Sequence, residues 1–292
     1  MAEQLKGAAV AAAITEVTNE KIRMLETKGF KPALAIVRVG ENPDDIFYER
    51  SARKKCESSG VVVRSVILPA DCGQSELLNV IELLNTDRLI HGVLIFRPLP
   101  KHIDDDTVRA ALSPMKDVDG ITDASLAGVL TGRGYGFVPC TAQACIEILD
   151  FYGVQPEGKR VVVVGRSLVI GKPVALLLTN RNATVTICHT RTKNLPSVCR
   201  NAEILIAAAG RAGIICGEHL SAGQTVIDVG INMTENGICG DVSNDGALEI
   251  TAAFTPVPGG VGTVTSAVLV SHVVKAALHS YQATMKEAAL RG

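Results

Sequence analysis

Short apolar runs alternate along this chain with amphipathic stretches, and that alternation constrains its fold more than any other feature. β-Branched runs too short for helices, separated by segments at helical spacing, are the pattern of parallel strands covered by helices. Ala33–Val39, Val61–Leu68 and Gly92–Phe96 read as buried strands, with Ile46–Ser58 and Ser75–Asn85 as the helices between them. Pro98 and Pro100 then break the chain, and Asp119-Gly120 is a turn signal. A second series follows Pro139. It predicts helices over Thr141–Tyr152 and about Gly171–Thr179, and strands at Arg160–Val164, Ala183–Cys188, Ile204–Ala208 and Thr225–Gly230. A Pro/Gly loop, Thr255–Gly262, leads to a long last helix over Thr265–Leu290. The fold class is therefore α/β: two parallel-sheet α/β domains, the C-terminal one Rossmann-like.

Composition narrows the function classes. A chain of 292 residues with 47% hydrophobic and 20% charged residues buries a sizeable core, and its length suggests two domains. A net charge of −1, 3% aromatics and no Trp argue against a nucleic-acid surface or an anionic membrane partner. The apolar stretch Ala8–Ile14 follows no basic segment and is cut short by Glu16, so no signal peptide or membrane span is expected, and the cytoplasm is the expected compartment. The eight cysteines form no CxxC pair, and no histidine joins them at zinc spacing. They read as buried reduced thiols, and no metal is expected.

The segment Val161-Val-Val-Val-Gly-Arg-Ser-Leu-Val-Ile-Gly-Lys-Pro173 reads as strand, glycine turn, helix. Gly165 permits a tight turn and close approach to a phosphate, and the helix amino terminus offers N–H groups and a positive dipole end. Ser167 stands where a G-x-G-x-x-G motif has its second glycine, so by itself the segment fits an ordinary strand-to-helix turn equally well. The next strand adds information. An NAD site usually carries an acidic side chain at its end, for the ribose hydroxyl. Here it runs into His189-Thr-Arg-Thr-Lys193, without an acid. Arg166, Thr190 and Arg191 suit a 2′-phosphate, because a planar guanidinium matches that anion. NADP is the expected cofactor, with a solvated basic loop as the other reading.

Three more segments complete the pattern. They are Tyr48-Glu-Arg-Ser-Ala-Arg-Lys-Lys-Cys56; Gly92–Pro100 with Lys116-Asp-Val-Asp-Gly120; and Thr255-Pro-Val-Pro-Gly-Gly-Val-Gly-Thr-Val-Thr265. With Pro139-Cys-Thr141, Gly165–Ser167, Gly171, Pro173 and Asp228-Val-Gly-Ile-Asn232, the chain resembles, over nearly its whole length, the methylenetetrahydrofolate dehydrogenase/methenyltetrahydrofolate cyclohydrolase family. The resemblance implies a homodimer and a folate-binding domain over 1–140 completed by the C-terminal helix 265–292. It also implies an NADP-binding domain over 141–264 and a cleft between the domains for both substrates. Tyr48 would lie against the folate ring, and Asp119 would accept paired hydrogen bonds from the pterin. Pro258, Gly259 and Gly260 would form a close backbone wall. Gly165, Arg166, Ser167, Gly171, Thr190 and Arg191 would hold the cofactor, and Ile231 would touch it near the nicotinamide.

The departures from the family pattern carry the sharper expectation. The family runs Tyr-x-x-x-Lys; Arg53, Lys54 and Cys56 fix the register, so Ala52 holds the lysine position. Phe96, followed by Arg97, holds a glutamine position. Thr263-Val264 replaces Pro-Met, and Ala142 replaces the proline after Thr141. Oxidation of 5,10-methylenetetrahydrofolate to 5,10-methenyltetrahydrofolate needs alignment more than proton transfer. Hydrolysis to 10-formyltetrahydrofolate needs a placed acid–base group. The expected activity is NADP-dependent oxidation with weak or absent cyclohydrolase, a separate cyclohydrolase serving the same pathway. The alternatives are a fully bifunctional enzyme, a catalytically silent folate- or nucleotide-binding regulator, and a different two-domain dehydrogenase acting on an amino or hydroxy acid.

Overall fold

The computed structural model describes residues 2–235, 237–243 and 247–291. The chain opens with β1 (Glu3–Gln4) and the helix α1 (Gly7–Glu26). It divides into two compact units. One consists of Met1–Ala12, Val129–Gly132 and Pro139–Thr265; the other consists of Ala13–Gly128, Arg133–Val138 and Ser266–Gly292.

The second of these is built on β2 (Ala33–Val39), β3 (Val62–Leu68) and β4 (Gly92–Ile95), in the order β3-β2-β4, all parallel. Around them run α2 (Pro43–Ser58), α3 (Gln74–Thr86), α4 (Asp105–Ala111) and α5 (Asp123–Thr131). The central strand β2 is almost continuously apolar because both faces of a parallel sheet are covered. Val37, Leu77, Ile81, Val93, Ile95 and Val108 share its core. Gly92 is required there: a Cβ would press on the side chains of Val118 and Val273.

The other unit carries α6 (Cys140–Phe151), β5 (Arg160–Val164), α7 (Gly171–Thr179), β6 (Thr184–Cys188), α8 (Leu195–Arg200), β7 (Ile204–Ala207) and β8 (Thr225–Asp228). A hairpin of β9 (Asn232–Thr234) and β10 (Gly237–Cys239) follows, then β11 (Ala253–Phe254) and α9 (Val261–Arg291). Among the described residues its sheet has the order β1-β11-β8-β7-β5-β6, all parallel.

Both sheets are parallel and helix-covered, as the alternation predicts. The differences lie at the chain ends. The sequence assigned the first residues to the folate domain, whereas β1 pairs with β11 at the edge of the six-stranded sheet. α1 went unpredicted because the stretch was weighed as a leader. The last helix starts at Val261, four residues earlier than expected, inside the glycine-rich segment. Contrary to expectation, it is long and apolar enough to span a membrane over Val261–Leu290. Over half of that window is buried in the protein, with Val268, Val270, Val273, Val274 and Ala277 in the core, so it is a core helix. All eight cysteines are free. Six are buried as expected, but Cys216 and Cys239 are half-buried.

Candidate functional site

In the six-stranded sheet the chain leaves β5 on one side to form β6 and returns on the other to form β7. Ligands of open α/β sheets bind at such a switch point, beyond the carboxyl ends of the strands. Gly165 stands there with φ +130°, and a Cβ would strike the Ala208 carbonyl oxygen. Its N–H donates to the Cys188 carbonyl at 2.9 Å, tying β5 to β6. A Cβ on Gly171, the first residue of α7, would strike the Gly165 carbonyl. The Ser167 hydroxyl accepts from the Ile170 N–H at 3.3 Å, and its carbonyl accepts from the Lys172 N–H at 3.1 Å. Both glycines are thus demanded by close backbone packing at the amino end of α7, the geometry that lets an anion approach N–H groups.

β6 pairs with β5 in parallel register, Val164 opposite Cys188, so the loops leaving the two strands start side by side. In the second loop the Thr192 N–H donates to the His189 carbonyl at 2.8 Å, and the Thr192 hydroxyl accepts from the His189 N–H at 2.9 Å. This tight turn holds Thr190 and Arg191 exposed at its tip. Arg166 is exposed as well. Among the described residues neither arginine side chain has an ion-pair partner, and a donor set without a partner fits a phosphate.

The sequence missed what braces the far side of this corner. Asp241 is fully buried, and its carboxylate accepts from the N–H groups of Ala209 (2.6 Å), Gly210 (2.9 Å) and Arg211 (2.9 Å) and from Asn232 Nδ2 (2.9 Å). Asp228, at the end of β8, accepts from the N–H groups of Gly230, Asp241 and Val242 at 2.9–3.0 Å. Burial pushes its carboxyl up to about 6. The glycines around these acids are a signal that was available. A Cβ on Gly230 would strike Asp241, and one on Gly240 would strike Asp228. The loops after β7 and β8 are therefore fixed by two interlocked acids. Ile231 leaves this scaffold 65% exposed, its Cδ1 3.3 Å from where a Cβ on Gly262 would sit. Of the expected wall, Pro258 and Gly259 are exposed, while Gly260 is buried against Gly7.

In the three-stranded unit, Phe96 continues β4, its N–H donating to the Val37 carbonyl at 2.9 Å. Tyr48 lies on α2, and its ring sits 5.5 Å from that of Phe96, centroid to centroid. Ala52 is buried one turn along the same helix. The structure thus brings Tyr48 and Phe96 together and makes the positions of the family's lysine and glutamine apolar. The nearest cations are committed elsewhere. Lys55 Nζ donates to the Thr15 hydroxyl at 3.3 Å, Lys54 is exposed, and Arg97 forms a two-pronged ion pair with Asp105. Glu49, beside Tyr48, pairs with Arg38 and Ser65. Burial opposes its ionisation, but those hydrogen bonds outweigh it and hold the carboxyl below the usual range.

The Lys116–Gly120 loop is set by residues the sequence passed over. Asp117 is fully buried and accepts from the Ile121 N–H (2.9 Å), the Thr122 N–H (2.8 Å) and the Ser125 hydroxyl (2.6 Å). His272 of α9 bonds the Val118 carbonyl at 2.9 Å, and burial lowers its pKa to about 4. These contacts leave Asp119 half-buried in the turn closed by Gly120 at φ +70°.

The expectation that no cysteine and histidine sit at metal spacing meets one exception: ligand atoms of Cys216, Glu218 and His219 lie within 4.8 Å of one another. His219 Nδ1 there accepts from the Cys216 N–H at 3.3 Å, an ordinary helix-start contact.

Comparison with known proteins follows these observations. Residues 5–119 match the catalytic domain of tetrahydrofolate dehydrogenase/cyclohydrolase, and residues 139–281 match its NAD(P)-binding domain. The bifunctional protein FolD of Carboxydothermus hydrogenoformans is 49% identical over 279 residues, covering 94% of this chain and 97% of that one. The crystal structure of the bifunctional enzyme FolD from Campylobacter jejuni superposes with a TM-score of 0.93 at 38% identity, covering 96% and 99% of the two chains. The Trypanosoma brucei methylenetetrahydrofolate dehydrogenase-cyclohydrolase, complexed with NADP cofactor and inhibitor, gives 0.88 at 36% identity, covering 97% and 98%.

Proposed function

Since the chain belongs to the tetrahydrofolate dehydrogenase/cyclohydrolase family, we propose that it oxidises 5,10-methylenetetrahydrofolate to 5,10-methenyltetrahydrofolate with NADP and hydrolyses the product weakly or not at all. The observation that carries the split is the Tyr48–Phe96 ring contact beside buried Ala52, an apolar surface where the family pattern has a lysine and a glutamine.

The cofactor corner fits NADP. The Gly165–Gly171 turn admits a phosphate to the amino end of α7, and Arg166, Thr190 and Arg191 suit a 2′-phosphate. NADP, when bound, accepts the hydride. The interlocked carboxylates of Asp228 and Asp241 keep the loop bearing Ile231 rigid, so alignment is set before substrate arrives. Tyr48 orients the folate ring and Asp119 grips the pterin. Nitrogen lone pairs beside the methylene carbon expel the hydride, and no side chain has to carry a proton.

Hydrolysis adds water, removes a proton and opens the ring, and a placed acid–base group contributes roughly 10²–10⁴-fold to such steps. Ala52 and Phe96 offer no proton, Lys55 and Arg97 are tied to Thr15 and Asp105, and Glu49 is held ionised by its partners. The reading includes a homodimer, which sedimentation measures directly. The test of activity adds purified protein to methylenetetrahydrofolate and NADP. NADPH should form while methenyltetrahydrofolate accumulates and decays at the buffer rate. Decay well above the blank would favour the bifunctional reading, which the identity to relatives called bifunctional supports.

A further inference from the structure

The three-stranded unit has a hollow at the end of β4 opposite Phe96. Its volume is about 260 Å³, near the lower limit of small-molecule pockets at ~300–1,000 Å³. Ile90, Met115, Ala276 and Ala283 give it apolar walls. His91 and Lys116 line it too, and both are prepared as donors. His91 is 95% buried, being 5% exposed. Its Nδ1 accepts from the Ala33 N–H at 3.0 Å, so the proton resides on Nε2. One ring face lies 4.9 Å from Phe30, centroid to centroid, and Nε2 is buried with no hydrogen-bond partner. The Nε2–H edge is what remains to face the hollow. Native proteins rarely strand a buried donor, because each costs about 1–3 kcal/mol. Lys116 Nζ gives two of its three protons to the Leu84 and Asp87 carbonyls at 2.6 Å, leaving one. Arg88 and His279 stand at the same hollow, and no carboxylate lines it. Burial lowers the pKa of His91 to about 4, ahead of the effect of Lys116, so the imidazole is a neutral donor at pH 7.

We propose that this hollow binds a small monocarboxylate, its carboxylate accepting from His91 Nε2–H and Lys116 and its apolar body lying against Ile90, Met115 and Ala276. Lys116 also opens the loop that carries Asp119, and its carbonyl accepts from the Val93 N–H at 2.7 Å. A ligand held by Lys116 therefore acts on the Asp119 turn. This second half rests on the folate reading of Asp119; the binding itself does not.

Benzoate is the probe, titrated calorimetrically into the full-length protein, with benzyl alcohol and inorganic phosphate as controls. One benzoate should bind per chain, and each control should bind at least tenfold more weakly. Ala283→Phe, at an exposed wall position, should weaken benzoate at least tenfold without changing the melting temperature. His91→Phe should do the same, and the exposed-site variant decides the matter if His91→Phe folds poorly. No benzoate heat, benzyl alcohol binding as tightly, or unchanged binding in Ala283→Phe would each overturn the site; a buried water on Nε2 predicts the first. In turnover, benzoate should change the KM for folate and leave that for NADP unchanged, in wild type only. Binding without that change overturns the link to Asp119 alone.

Discussion

Two corners of this molecule stand at carboxyl ends of parallel strands and are built in opposite ways. Around Asp228 and Asp241, buried acids collect backbone N–H groups from three loops, and every bond is charge-assisted. Around Tyr48, Ala52 and Phe96, the surface is an aromatic ring stacked on apolar side chains, and nearby charges are turned away into pairs of their own. The first arrangement fixes positions. The second leaves nothing that moves a proton. A reaction limited by alignment survives on the first, whereas one that needs acid–base help is starved by the second.

The largest effect should come from dismantling the rigid corner. Asp241→Ala leaves three backbone N–H groups and the Asn232 amide unpaired in a buried site, with an expected loss of about 3–5 kcal/mol in urea unfolding. If stability holds within 1 kcal/mol, roughly the value of one hydrogen bond, the brace is not what fixes these loops.

Changing the apolar corner should have the next largest effect. Ala52→Lys with Phe96→Gln should raise methenyltetrahydrofolate decay about 10²-fold over the parent, the lower end of what an acid–base group contributes. Ala52→Lys alone should do far less, because a lysine beside Phe96 lacks an orienting amide and is shifted toward neutrality by desolvation. A double variant as slow as the parent would show that the lost activity, if lost, has another cause.

Arg166→Ala should raise the KM for NADP about tenfold and leave that for NAD nearly unchanged, since one charge-assisted contact is worth roughly 1.5–3 kcal/mol. Equal changes for both cofactors would remove the phosphate role.

The smallest effect is in the pH dependence of stability. Asp228 has a folded pKa of about 6 against a model value of 3.8, so the folded protein holds the proton longer. Its contribution to stability is present below the unfolded pKa, falls as pH rises between those two values, and is flat above. Asp228→Asn should flatten that slope in denaturation measured between pH 4 and 7. An unchanged slope would assign it to other groups.

Much of this was legible along the chain, because parallel strands announce themselves as apolar runs and a tight turn needs glycine. β2, β4, β5, β7 and β8 fall close to where the pattern puts them. The substitutions at 52 and 96 are facts of register that no folding was needed to read. Only the tertiary structure decided what surrounds them. That Lys55 reaches Thr15, that Arg97 pairs with Asp105, and that Tyr48 meets Phe96 depend on contacts across elements. Asp241 looked like one acid in a loop because its partners, Ala209 to Arg211, lie about 30 residues away. The first strand was invisible for the same reason: two residues carry no periodicity, and β1 exists only because β11 offers its edge. Local spacing records which face of an element is apolar. Which polar group meets which is settled by long-range pairing, which leaves no mark on neighbouring residues.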